Sequence, residues 1–248
     1  MKPLGAAIMA AGKGTRMQRK DVPKVCNVLN GRTLIEHVVD QAKSLQPERI
    51  VVIVGHMREQ VFQAVKSPDV RFVVQEPQLG TAHAVEMTRS EFAAFDGDIL
   101  VLSGDAPLLK KTTLEKLIQT HRSGKYAATM LVAEAPDPTG YGRVIRTADG
   151  LFDYVVEDKD ATSDQKQIAE INSGIYVFDA VKLFANLIKV GNDNAQKEYY
   201  LPDVLSFLKA QGDQVAVESA ETFSEIHGIN TVEQLQEAEQ ILAQRREA

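Results

Sequence analysis

The segment GAAIMAAGKGTRMQRKDVPK, residues 5–24, sets Gly12 and Gly14 beside Lys13, Arg16 and Lys24. Glycines let consecutive backbone N–H groups converge on an anion without a Cβ in the way. A helix start just after them would add partial positive charge. Arg16 offers a bidentate fork to phosphate oxygens, Lys24 a point charge, and Pro23 fixes the direction from which that lysine enters. The segment matches neither GxxxxGK[ST] nor GxGxxG, because Lys13 stands between the glycines and Met17 takes the place of a third one. A lone Gly-x-Gly also suits a solvated turn, so both readings stand at this point.

Two further segments end apolar runs with polar residues. In DILVLSGDAPLL, Asp105 follows a strand-like stretch, and in open α/β sheets ligands gather at the carboxyl ends of strands. There it could hold a hard cation, or serve as an ordinary turn residue. Magnesium takes few protein ligands, so one carboxylate and one neutral oxygen would suffice. In VVQEPQLGTAHAV, Gln75 closes a strand and Gly80-Thr81 opens a helix. Its amide presents both a donor and an acceptor to a pyrimidine edge, or simply fixes a loop. His56 and His83 have no metal-ligand spacing and read as structural. The single cysteine, Cys26, excludes an intramolecular disulfide and reads as a small buried or partly buried thiol in a reducing compartment.

These groups need a scaffold that brings strand ends together, and the chain supplies the pattern for one. LGAAIMAAG, RIVVIVGH, VRFVVQE and DILVLSGD read as buried parallel strands. TLIEHVVDQAKSL, MREQVFQAVK and GTAHAVEMTRSEFAAF between them carry apolar residues at helical spacing. The alternation predicts βαβ crossovers and a doubly wound sheet. After residue 125, AATMLVAEAP, GRVIRT, LFDYVVED and INSGIYVFD follow one another with little helix between, which predicts a smaller antiparallel extension. Helices return in AVKLFANLIK and EYYLPDVLSFLKAQ, and TVEQLQEAEQILAQRREA begins at a Thr N-cap.

Composition narrows the class of partner. With 44% hydrophobic and 25% charged residues, the 248-residue chain can bury a globular core. Its net charge of -6 supplies no basic field for nucleic acid or anionic lipid. No stretch reads as a signal peptide or a membrane span, so a cytoplasmic location is expected.

Taken together, MAAGKGTRM with PK downstream, QEPQLGTAHA, LSGDAPLL, DPTGYGRVIR, VVEDKDAT, EINSGIYVFD, NAQKEYYLPDV and the late GIN resemble the sugar-nucleotide pyrophosphorylases. The likeness is strongest to the uridylyltransferase half of the bacterial bifunctional uridylyltransferase/acetyltransferase, and it runs from residue 6 to about 230. It implies a Rossmann-like, GT-A-like three-layer nucleotidyltransferase fold over residues 1–230, followed by a linker helix over 231–248. It also implies Mg²⁺-dependent uridylyl transfer from UTP to N-acetylglucosamine-1-phosphate, a step toward peptidoglycan precursors.

By the same resemblance Met9, Ala10, Ala11, Gly12, Gln75, Gly80 and Thr81 hold the uridine, and Arg16 and Lys24 the triphosphate. Ser103, Gly104 and Asp105 span the nucleotide–sugar junction. Gly142, Glu157, Asn172 and Asn230 face the amino-sugar, and Asp105 and Asn230 take Mg²⁺. Ser103 stands where some members carry an aromatic residue, which favours a backbone role there. The acetylating β-helix of the bifunctional enzymes is not part of this sequence, so no acetyltransferase activity is expected of it. A homo-oligomer is expected only if that domain normally follows. Another sugar-1-phosphate, such as glucose-1-phosphate or N-acetylgalactosamine-1-phosphate, or a non-catalytic nucleotide-binding role remain the alternatives.

Overall fold

The computed structural model describes residues 2–12, 14 and 21–247. In the amino-terminal half, β1 (Leu4–Ala10) leads through the short hairpin β2 (Val28–Leu29) and β3 (Arg32–Thr33) into α1 (Leu34–Ser44). β4 (Arg49–Val54), α2 (Arg58–Ala64), β5 (Val70–Val74), α3 (Thr81–Glu86), β6 (Asp98–Ser103) and α4 (Lys111–Ser123) follow. The second half comprises β7 (Ala128–Glu134), β8 (Arg143–Arg146), β9 (Phe152–Val156), β10 (Glu170–Asp179), α5 (Ala180–Leu187), α6 (Asp203–Ala210), β11 (Val215–Ser219), α7 (Phe223–Ile226) and α8 (Val232–Glu247).

The main sheet runs β5-β4-β1-β6-β10-β7-β11, with the β8–β9 hairpin attached to β10. β1 pairs in parallel with β4 and β6, β4 with β5, and β11 with β7, whereas β10 is antiparallel to both its neighbours. The mostly parallel sheet with an antiparallel extension therefore matches the sequence pattern. The central strands β1, β4 and β6 bury both faces. On β4, Ile50, Val52 and Val54 join one apolar layer with Val38 of α1 and Leu114 of α4, while Val51 and Ile53 face the other, with Val85 of α3, Leu183 of α5 and Leu205 of α6. This is why these strands read as continuous apolar runs.

α1 is anchored by a capping box: Glu36 N donates to Thr33 Oγ1 at 3.4 Å, and Glu36 Oε2 accepts from Thr33 N at 2.7 Å. α4, containing LEKLIQTH, and β11, containing VAVES, are elements beyond those predicted from the sequence pattern. The helix expected across residues 80–95 is shorter: regular helix stops at Glu86, and Thr88 to Phe95 continue in hydrogen-bonded turns. Thr88 Oγ1 donates to Val85 O at 2.7 Å, the side-chain competition for helix carbonyls that bends or ends a helix.

α8 starts at Thr231, whose Oγ1 accepts from Gln234 N at 3.2 Å, as the Thr N-cap predicts. Its apolar side lies on the domain: Ala238, Leu235, Ile241 and Leu242 pack with Leu29, Leu34, Leu108 and Ile229. Among the described residues no helix is long and apolar enough to cross a membrane.

Candidate nucleotidyl-transfer site

β1 and β6 are hydrogen-bonded neighbours, yet the chain leaves them toward opposite sides of the sheet, from β1 to β4 and from β6 through α4 to β7. A crevice opens at such a point, beyond the carboxyl ends of the strands. Met9 and Ala10 finish β1, with Ala11 and Gly12 just past it, and Ser103 finishes β6. Gly104 N donates to Met9 O at 2.9 Å, which locks the two strand ends together. A Cβ on Gly104 would lie 3.0 Å from that same oxygen, so the small residue permits the approach.

Asp105 is the centre of the polar constellation. Lys24 Nζ donates to Asp105 Oδ2 and, at 2.9 Å, to Asn230 Oδ1. Ser103 Oγ donates to Asp105 Oδ1 at 2.6 Å. Ile229 N donates to Asp105 O at 2.9 Å, so the GIN segment is tied to the strand-end loop by backbone as well. Burial alone would raise the Asp105 carboxyl, but the Lys24 charge and the hydrogen bonds from Lys24 and Ser103 outweigh it and hold the group below its ordinary value. Asp105 is therefore a carboxylate at neutral pH.

The glycine-rich segment reaches this centre through its second glycine. Gly14 has φ +58°, and a Cβ there would lie 2.5 Å from Lys24 Cβ. Glycine is required for the backbone conformation and for the packing of Lys24 at once. Arg16, assigned to the triphosphate, lies outside the described residues, as does Lys13.

The expected nucleotide loop assembles around Gln75. Its side chain is buried, and Nε2 donates to Gly80 O at 2.9 Å and to His83 Nδ1 at 3.2 Å. His83, read as structural, is thus the acceptor that helps fix this amide. Gly80 adopts φ 112°, and a Cβ would sit 2.6 Å from Tyr199 O. Thr81 Oγ1 accepts from Leu201 N at 2.9 Å, while Ala82 N donates to Tyr199 O at 2.9 Å and Tyr199 N to Leu79 O at 2.8 Å. The segment EYYL therefore buttresses the loop, a role that spacing alone does not reveal because more than a hundred residues separate the partners.

The expected sugar side is built on β8–β10. A Cβ on Gly142 would lie 3.1 Å from Glu157 Oε1, so this glycine makes room for the acid. Asn172 N donates to Gly142 O at 2.9 Å, and Asn172 Oδ1 accepts from Gly174 N at 3.0 Å and from the Tyr176 hydroxyl at 2.8 Å. A register shift between Asn172 and Tyr176 marks the bulge that sets this asparagine. Glu157 is pushed up to about 7, first by burial and then by the charges of Asp203, Asp160, Glu198 and Asp158. Arg143, almost fully buried, ties this edge together by donating to Tyr141 O and, at 3.0 Å, to Asp158 Oδ1. Spacing gives Arg143 no partner, because a buried arginine shows its partners only in three dimensions.

A cleft of about 490 Å³ adjoins the Asp105 centre, lined among others by Ser103, Tyr141, Ser173, His227 and Asn230. Among the described residues no group of three or more His, Cys, Asp or Glu could hold a metal. The Asp105–Asn230 pair nonetheless fits a hard cation: both donors are oxygens, and both already converge on the ammonium of Lys24.

A family model described as the MobA-like NTP transferase domain matches residues 6–165. A protein of Alkaliphilus oremlandii named Bifunctional protein GlmU is 46% identical over 242 residues, which are 98% of this chain and 52% of the relative. A protein of the same name from an Exiguobacterium species is 49% identical over 240 residues, 97% of this chain and 53% of the relative. The chain thus spans about half the length of the curated relatives it matches. A solved UDP-glucose pyrophosphorylase complexed with UDP-glucose superposes with a TM-score of 0.78 at 14% identity, covering 99% of this chain and 100% of the other, a likeness of fold.

Proposed function

Because the chain belongs to the MobA-like NTP transferase domain family and is by that membership a nucleotidyltransferase, we propose that it moves a uridylyl group from UTP to N-acetylglucosamine-1-phosphate, releasing pyrophosphate. The observation that carries this reading is the meeting of Lys24, Asp105 and Asn230, from three distant parts of the chain, at one strand-end crevice. The near half-identity to proteins named GlmU supports the choice of nucleotide and sugar.

The nucleophile is a sugar-phosphate oxygen, anionic at neutral pH, so no general base is needed. The chain has to align that oxygen with the α-phosphorus and neutralise charge around it. Asp105 and Asn230 would hold Mg²⁺, whose chemistry when bound is to draw charge from the phosphate oxygens. Lys24 rests against both ligands and is placed to turn its ammonium to a phosphate once Asp105 is otherwise neutralised. Gln75 and the Gly80 backbone offer the pyrimidine a rigid edge. Glu157 accepts from sugar hydroxyls, and Asn172, held by Tyr176, lines the same side. Cytoplasmic work on cell-wall precursors belongs to the same proposal.

A matrix of nucleoside triphosphates against sugar-1-phosphates, read as pyrophosphate release, tests it. UTP with N-acetylglucosamine-1-phosphate should give the highest kcat/KM. A higher value for glucose-1-phosphate or N-acetylgalactosamine-1-phosphate would change the sugar assignment. Nucleotide binding with no release for any pair would leave a non-catalytic binder.

A further inference from the structure

We infer that Gln234, in the first turn of α8, is a positioning residue for Asn230 and through it sets the affinity of the metal pair. This rests on the reading of Asp105 and Asn230 as metal ligands.

Gln234 Oε1 accepts from Asn230 N at 2.7 Å and from Thr231 N at 3.1 Å. Its Nε2 donates to His227 Nε2 at 2.9 Å. One amide therefore grips the GIN segment on both sides of Gly228-Ile229. Asn230 Nδ2 in turn donates to Gly228 O at 2.7 Å, which fixes the flip of its amide and leaves Oδ1 as the oxygen turned to Lys24. Gly228 is pressed against the other ligand: a Cβ there would lie 3.0 Å from Asp105 Oδ2. A shift of the segment by a fraction of an ångström would thus move Asn230 Oδ1 relative to Asp105.

The far end of this chain of contacts is anchored. The His227 ring lies 4.9 Å from Phe223 and 6.5 Å from Tyr141, centroid to centroid, and Tyr141 precedes the glycine that makes room for Glu157. α8 itself is seated by its apolar face and by Arg245, which donates to Leu108 O at 2.6 Å. Gln234 therefore joins a fixed helix to a ligand-bearing loop. An ordinary helix cap would need only the Thr231 contacts. The short bond to Asn230 N is the additional one, and orientation of a ligand by a neighbouring group commonly changes metal affinity by about 10–100-fold.

The test is a Mn²⁺ titration followed by electron paramagnetic resonance with saturating UDP-N-acetylglucosamine, on the full chain and three variants. Q234M keeps length and helix propensity but removes the acceptor. Q234E keeps the acceptor. T231A removes the helix cap while leaving Gln234 Oε1 to Asn230. Positioning predicts that Q234M weakens Mn²⁺ binding about tenfold or more, with wild-type binding in both Q234E and T231A. Equal binding by Q234M and the wild type overturns the inference, as does equal weakening in T231A and Q234M, which a purely structural cap would give. Failure of Q234M to fold while T231A folds also overturns a role confined to Asn230. If the wild type itself binds no Mn²⁺ with UDP-N-acetylglucosamine, the metal reading fails and takes this one with it.

Discussion

Lys24, Asp105 and Asn230 form the smallest unit that explains the site. Removing the Asp105 carboxylate or the Lys24 ammonium leaves its partner without its counter-charge in a partly buried crevice. Asp105→Ala and Lys24→Ala should each lower kcat well over tenfold, as loss of a charge-stabilising group does, and steady-state pyrophosphate release measures it. Glu157 gives a second prediction, on pH. Its carboxyl is held up to about 7 in the fold, above the ordinary 4.5. Between those values the folded protein keeps a proton that the unfolded chain has lost, so this group's contribution to stability falls as pH rises through the window. Glu157→Gln does not titrate. Its urea midpoint should therefore improve relative to wild type from about pH 5 to about pH 8, while its affinity for the sugar phosphate drops. A midpoint difference independent of pH would contradict the environment described for Glu157. Asp105 and Gln75 were legible as residue types at strand ends. The Lys24 link was not, because spacing cannot show that an ammonium 81 positions away bonds this carboxylate.

At the scale of elements, the loop between β5 and α3 is held by backbone geometry more than by side chains. Gly80 has φ 112° and ψ 179°, a region essentially reserved for glycine, and sits against the Tyr199 backbone. Gly80→Ala should cost roughly 1–3 kcal/mol, visible as a Tm lower by several degrees, and should raise KM for UTP more than it lowers kcat. An unchanged KM would remove this loop from nucleotide binding. The strands β1, β4 and β6 were legible because burial on both faces makes them apolar throughout, and β5, half-buried, because it is still mostly apolar. α4 hid behind a polar majority, and its buried face rests on Leu114, Leu117 and Ile118 alone among large aliphatics. β11 hid because an edge strand of four half-buried residues and one exposed serine carries little signal. The shortened α3 could not be read either, since the residues after Glu86 keep helical spacing while their bonds turn into successive tight turns.

At the scale of the whole molecule, the helix expected as a linker packs against the domain. Ala238 is 1% exposed between Leu29, Leu34, Leu108 and Ile229. Ala238→Asp buries a charge with no partner and should destabilise the fold by roughly 2–4 kcal/mol, measured as a lower denaturant midpoint. A surface-like effect of a few tenths would mean that α8 is not seated there in solution. The Thr N-cap and the polar helical run of TVEQLQEAEQILAQ predicted a helix, but a mostly polar surface gave no sign of which neighbour its few apolar residues would find. The architecture explains why the polar residues gather where they do: the chain leaves β1 and β6 in opposite directions at the crevice, β10 runs antiparallel beside β6, and the β8–β9 hairpin hangs from β10. The most direct measurement is pyrophosphate release from UTP and N-acetylglucosamine-1-phosphate with Mg²⁺, against the same mixture with a chelator. The account predicts pyrophosphate and UDP-N-acetylglucosamine in equal amounts, formed only when metal and both substrates are present. Release at the same rate with chelator, or none with any sugar-1-phosphate, would contradict it.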